Sequence, residues 1–294
     1  MTAETPSPET SPVVAARALS KHYGSFSALA DASFDIPLGR IVGIIGANGA
    51  GKTTLLNAIL GLIPFEGEVE VLGMNPAQGR DRLMENVCFI ADVATLPRWM
   101  RVAQLIDFVE GVHPRFDRAR ALHFLERTKI PPNKRISKLS KGMITQLHLA
   151  VVMAIDARLL VLDEPTLGLD ILYRKTFYRE LLEEYFDHQR TILVTTHQVE
   201  EIEHILTDVM FIKDGRIVFQ AEMDSLSERF VELEVSADRL AEARALGAIH
   251  ERSTLGKTAL VFEDPDREAL SRLGTTRGLD LADIFIAKMS GEAA

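Results

Sequence analysis

The sequence predicts an α/β protein, a parallel sheet covered by helices on both faces, and three observations carry that expectation. Short apolar runs alternate with segments of helical spacing along most of the chain. A strand, a glycine-rich turn and a helix follow one another over 41–62. The apolar run 159–162 stops at two acids, Asp163 and Glu164. The C-terminal edge of such a strand is where open α/β sheets bind ligands.

The elements follow in order. Residues 1–12, rich in Thr, Glu, Ser and Pro, lack any basic residue or apolar stretch and read as a disordered tail without a secretory signal. Strands are expected at 13–19, 33–36 and 41–45, then a helix at 52–62 and strands at 68–71 and 87–90. Apolar residues recur at helical spacing between 98 and 129, ending at Pro131 and Pro132. A further helix is expected over 139–156, so a helical insertion occupies about 98–156. Next come a strand at 159–162, a helix at 173–185 and a strand at 191–195. A hairpin at 209–212 and 216–219 turns on Asp214-Gly215. Beyond about residue 225 the composition shifts. Strands at 230–235 and 257–262, with helices at 237–246, 266–273 and 284–289, predict a small α+β extension over 225–294.

Composition narrows the function. The chain has 294 residues, 47% of them hydrophobic, enough for a sizeable core. A formal net charge of −9 argues against a general nucleic-acid binder. The single cysteine, Cys88, excludes a disulfide framework and a cysteine-based zinc site. The longest apolar run, 149–155, is far short of the roughly 20 residues a membrane span needs. The default expectation is a soluble cytoplasmic protein.

Residues Gly46-Ala47-Asn48-Gly49-Ala50-Gly51-Lys52-Thr53 match the phosphate-loop pattern G-x-x-x-x-G-K-[ST], followed by Thr54. Glycines let backbone N–H groups curve round phosphate oxygens. Lys52 brings a positive charge, Thr53 a hydroxyl for Mg²⁺, and the following helix points its positive end at the same anion. Asp163 can hold Mg²⁺, and Glu164 can accept a hydrogen bond from an attacking water. Asp-Glu before Pro165 equally suits a helix N-terminus. A kinase, a GTPase and a transport ATPase would all fit so far.

Further motifs divide these. Leu139-Ser140-Lys141-Gly142-Met143 resembles the LSGGQ signature of ABC-type ATPases, and Pro165-Thr166-Leu167-Gly168-Leu169-Asp170 resembles their D-loop. His197 falls where that family has its switch histidine, and Tyr23 where it stacks an aromatic on adenine. Blander roles stand beside these: a turn tyrosine, a core histidine, a helix cap at Ser140. Over residues 13 to about 220 the chain thus resembles the ATP-binding subunit of an ABC transporter. The resemblance implies a phosphate-loop core with an inserted helical subdomain (about 98–156) within an ATPase domain at 13–224. It implies ATP and Mg²⁺ as cofactors, with Glu164, His197 and Lys52 catalytic. It further implies ATP contacts from Tyr23, Gly46, Asn48, Gly49, Ala50, Gly51, Lys52, Thr53, Thr54, Met143 and Asp170, and from Ser140 and Gly142 of a second subunit. Metal contacts would come from Thr53 and Asp163.

Two departures stand out. The signature has Lys141 and Met143 where the family commonly has Gly and Gln. Asp92 occupies the register of the Q-loop glutamine, where it could reach the metal. With the C-terminal extension, these features resemble the ATPase subunits of ABC-2-type exporters. The implied partners are a polytopic membrane permease and a second ATPase subunit, in a homodimer peripheral to the inner face of the cell membrane, with no nucleic acid. Residues 98–141 hold eleven Lys/Arg against four Asp/Glu, a basic lobe suited to anionic lipid or acidic permease loops. The competing reading is a soluble ABC ATPase in translation or repair. It suffers from the single cassette and from the 86 residues, without a heptad run, between Lys52 and Leu139.

Overall fold

The computed structural model describes residues 11–91, 96–254 and 257–290. Strands β1 (Val14–Tyr23) and β2 (Phe26–Ile36) form an antiparallel hairpin with Tyr23 opposite Phe26 at its tip. Strand β3 (Ile41–Ile45) leads through the glycine turn into α1 (Lys52–Ile59), and β4 (Glu66–Val71) returns to the free side of β1. After α2 (Arg80–Met84) and β5 (Val87–Ile90) come the helices α3 (Val102–Val112), α4 (Arg118–Glu126) and α5 (Lys141–Met153). Then β6 (Leu159–Asp163), α6 (Ile171–Glu180), β7 (Thr191–Thr196), α7 (Val199–Ile202), β8 (Asp208–Lys213) and β9 (Arg216–Glu222) complete the main sheet. Its order is β5-β6-β7-β3-β8-β9, parallel throughout except for the β9 edge.

Strands β3, β6 and β7 are buried along their whole length. That is why their apolar residues stand in consecutive runs rather than alternating with polar ones. One apolar cluster lies between this sheet, α1 and the antiparallel β2-β1-β4 layer. The other lies beneath α3, α4, α5 and α6 on the opposite face.

The chain continues through α8 (Met223–Arg229) into β10 (Phe230–Val235), α9 (Leu240–Arg244), β11 (His250–Thr254), β12 (Lys257–Glu263), α10 (Arg267–Leu273) and β13 (Thr275–Arg277). Their antiparallel sheet has the order β11-β12-β10-β13. This is a β-α-β-β-α-β unit with its first and third strands central, the split-βαβ arrangement. Val231, Leu233, Leu260 and Phe262 share a small core with Leu270 and Leu273 of α10. Helix α11 (Leu281–Ser290) then leaves this unit, and its Leu281 and Ile284 belong to the large cluster of the main sheet.

Several expected bounds move. The strand expected at 33–36 is the end of β2, whose earlier part, Phe26 to Ala32, holds three alanines and shows no regular alternation. The helix expected over 173–185 runs α-helically over Ile171–Glu180 and then widens into a π-turn at Leu181–Tyr185. The helix expected at 237–246 shortens to α9. Among the described residues no helix is long and apolar enough to cross a membrane. The expected tail lies almost wholly outside the described residues.

Candidate active site

The order β6-β7-β3 brings three strand ends together. Pairing sets Asp163 beside Thr195 and Ile45 beside Thr196, so the glycine turn, the acids and the segment after β7 emerge side by side. In the turn, Gly49 and Gly51 have φ of 84° and 109°, left-handed conformations that favour glycine. A Cβ on Gly51 would also lie 2.6 Å from the Ala28 carbonyl oxygen. From below, the Gly215 amide donates to Ala50 O, so the β8–β9 hairpin buttresses the loop.

Lys52 is buried, and its Nζ donates to Gly46 O at 2.7 Å and to Ala47 O at 3.3 Å. The same ammonium is 3.7 Å from Glu164 Oε1. Asp163, 2% exposed, accepts from Thr53 Oγ1 on one oxygen (2.8 Å) and from Thr195 Oγ1 on the other (2.6 Å). Two hydroxyls thus satisfy a buried carboxylate whose desolvation would otherwise be costly. Glu164 has a φ of 47°, and its amide donates to Thr195 O at 3.2 Å and Thr195 Oγ1 at 3.1 Å. His197 Nδ1 stands 3.0 Å from both oxygens of the Glu164 carboxylate.

Tyr23, Asn48, Gly49, Gly51, Lys52, Thr53, Thr54 and Glu164 line one open cleft together with Phe26 and Ala28. Asp163 joins it through Thr53, and His197 through Glu164. Gly46 and Ala50 act through backbone atoms. Ser140, Gly142, Met143 and Asp170 do not line this cleft. Ser140 caps α5 by accepting from the Met143 amide at 3.3 Å. Asp170 caps α6, accepting from the Leu172 and Tyr173 amides at 3.1 Å. The two helix starts are neighbours, since a Cβ on Gly168 would lie 3.1 Å from Lys141 Cε. Asp92 lies outside the described residues.

Sequence reasoning did not reach Phe26, Ala28 or Thr195 as site residues. The role of Thr195 arises from strand pairing and has no local signal. The donor set of Asp163, Thr53 and their surroundings, all hard oxygens, suits Mg²⁺. Chemically, the cleft offers a loop of backbone amides and one cation for a polyphosphate. Beside it stands a carboxylate, Glu164, within reach of both a lysine and an imidazole.

The family model described as "ABC transporter" matches residues 29–167. The ABC transporter ATP-binding protein YtrB of Bacillus subtilis (strain 168) is 26% identical over 285 residues, covering 94% of this chain and 98% of that protein. NatA, an ABC transporter ATP-binding protein of the same organism, is 32% identical, over 68% of this chain and 84% of its own length. The Nod factor export ATP-binding protein I of Rhizobium etli is 33% identical, over 74% and 70%. Among solved structures, an ATP-binding subunit of an ABC transporter aligns with a TM-score of 0.65 at 23% identity, over 74% of this chain and 92% of that one. A dimeric ATP-binding cassette in a post-hydrolysis state, bound to ADP and Pi, aligns with a TM-score of 0.62 at 23% identity, over 71% and 98%. The fold is thus that of the ATP-binding cassettes.

Proposed function

Since the chain belongs to the family of ABC transporter ATP-binding subunits, ATPases that power a separate membrane permease, we propose that it drives export and hydrolyses ATP at the cleft built by β3, β6 and β7. The observation that carries this reading is the contact of His197 with Glu164, 3.0 Å from each carboxylate oxygen, beside Lys52. The loop amides and Lys52 hold the triphosphate, with Tyr23 against the adenine. Glu164 accepts a hydrogen bond from water and aims it at the terminal phosphate, while His197 keeps the carboxylate turned to that task. Mg²⁺, held by Thr53 and Asp163, would offset phosphate charge when bound. The reaction is ATP + H₂O → ADP + phosphate.

Ser140, Gly142, Met143 and Asp170 serve the nucleotide of a second copy, in a homodimer whose helix starts complete each other's sites. What supports this is their common position at the N-termini of α5 and α6, away from the cleft of their own chain. Export as the direction draws on relatives named for Nod factor export. We divide the chain into the ATPase domain at 13–224, with its helical subdomain at about 98–156, and the α+β extension at 225–294. Docked on its permease, the subunit would lie on the inner face of the cell membrane.

Glu164→Gln keeps the shape of the side chain and removes the base. ATP binding should persist, hydrolysis should fall about 100-fold or more, and ATP should trap a dimer on size exclusion. Hydrolysis near the parent rate would overturn the assignment of Glu164.

A further inference from the structure

Arg174 stands one turn into α6 and reaches two loops at once. Its Nε donates to Leu169 O at 2.8 Å, within the turn that follows Glu164. Its Nη1 donates to Gln198 Oε1 and to Glu201 Oε1, each at 2.5 Å, on the segment that follows His197. The guanidinium is mostly covered, with the side chain 19% exposed. A planar fork of donors that stays charged can hold three acceptors in fixed relative positions, and a single ammonium cannot. Arg174 is not among the residues that line the nucleotide cleft.

The two loops meet at the reacting groups. The 165–169 turn is fastened by Leu167 N to Glu164 O, by Leu169 N to Thr166 O, and by a buried Thr166–Tyr178 hydroxyl pair at 3.2 Å. That turn sets the backbone behind Glu164, whose left-handed φ of 47° makes the direction of its carboxylate sensitive to both flanks. Gln198 directly follows His197 in the chain, its amide donates to Thr196 Oγ1 at 2.9 Å, and His197 is the residue in front of that carboxylate. Arg174 is therefore the side chain that spans from the rear flank of Glu164 to the residue adjoining His197.

We propose that Arg174 is a positioning residue for hydrolysis, holding the His197–Gln198 segment in register with the turn after Glu164 so that the imidazole stays on the carboxylate. This rests on the roles given above to Glu164 and His197. Arg174 binds no nucleotide atom itself, so its loss acts on the chemical step and leaves ATP affinity in place.

Steady-state ATPase assays on Arg174→Ala, Arg174→Lys, Gln198→Ala and the Arg174→Ala/Gln198→Ala pair, with melting temperatures for each, test the proposal. Arg174→Ala should lower kcat by about 10- to 100-fold, the scale of a misplaced catalytic group. KM for ATP should stay within about twofold. Arg174→Lys should restore only part of kcat. Gln198→Ala should lower kcat without lowering the melting temperature. The double variant should be no slower than Arg174→Ala, because both changes cut one connection. A parent-like kcat in Arg174→Ala, a rise in KM matching the loss, or additive effects in the pair would overturn it. If Arg174→Ala does not fold, a parent-like kcat in Gln198→Ala overturns it alone. An active Glu164→Gln enzyme would remove the premise and leave a measured kcat effect of Arg174 standing. An inactive one beside an unperturbed Gln198→Ala would remove the positioning role only.

Discussion

Thr195 serves two acids at once: its hydroxyl donates to buried Asp163 and accepts from the amide of Glu164. Val has nearly the same shape and neither capacity. Thr195→Val leaves the Glu164 amide its backbone partner, Thr195 O, but strips Asp163 of one of its two hydroxyl donors. The expected cost is about 1–3 kcal/mol, the penalty for a buried polar group left short of a partner. It should appear as a lower urea midpoint with an unchanged slope, together with slower hydrolysis. An unchanged midpoint would show that water replaces the hydroxyl. At this scale the sequence is legible where a motif is contiguous. The loop from Gly46 to Thr53 and the Asp163–Glu164 pair could be read directly. Thr195 could not, because its partner lies 32 residues away and only the register of β6 on β7 brings them together.

Helix α5 begins at the signature turn and carries His148 on a covered face. Burial alone pushes the imidazole down from 6.5 to about 4, and its Nδ1 is buried without a hydrogen-bond partner among the described residues. Above pH 6.5 folded and unfolded chains both keep this ring neutral. As the pH falls from 6.5 towards 4, the unfolded chain takes up a proton that the folded one refuses, and stability is lost across that window. His148→Leu should lose less stability than the parent between pH 7.5 and pH 5, measured as urea midpoints. An equal loss in both proteins would mean that His148 is solvated in solution. The legibility of elements follows burial in the same way. Strands β3, β6 and β7, covered on both faces, were plain in the sequence. The exposed three-residue β13 and the charged β11 were not. Short helices such as α2 and α7 have too few turns to show a period.

On the scale of the whole molecule, the basic character of residues 98–141 is offset by neighbouring acids. Arg115 pairs with Asp156 and Arg127 with Glu180 and Glu184, acids outside that segment, while Arg118 pairs with Asp107 and Glu110, which the count along the sequence already includes. Part of the positive charge counted along the sequence is therefore engaged within the fold, which weakens the case for a lipid-facing lobe. The extension is joined to the cassette through α11. Arg252 holds Asp283, and Lys288 holds Glu263, on the side of the extension. On the other side the Leu281 amide donates to Glu203, Lys213 donates to Met289 O, and Phe285 meets Phe211 edge-on at 5.2 Å. Phe285→Ala should cost about 2 kcal/mol, less than a fully buried phenylalanine because Phe285 is partly exposed. The measurement is a denaturant midpoint with the slope held constant, and a change under about 0.5 kcal/mol would show that α11 is only loosely seated.

That seating of α11 bears on how the chain is made. The apolar cluster that includes Ile41 also includes Leu281 and Ile284, so the first and last thirds of the chain share one interior. On the ribosome, β3 and the glycine loop emerge long before the helix that covers Phe211 exists. Until residues 281–287 have been synthesised, that part of β8 and β9 keeps an uncovered apolar face. A nascent chain in that interval is exposed to aggregation.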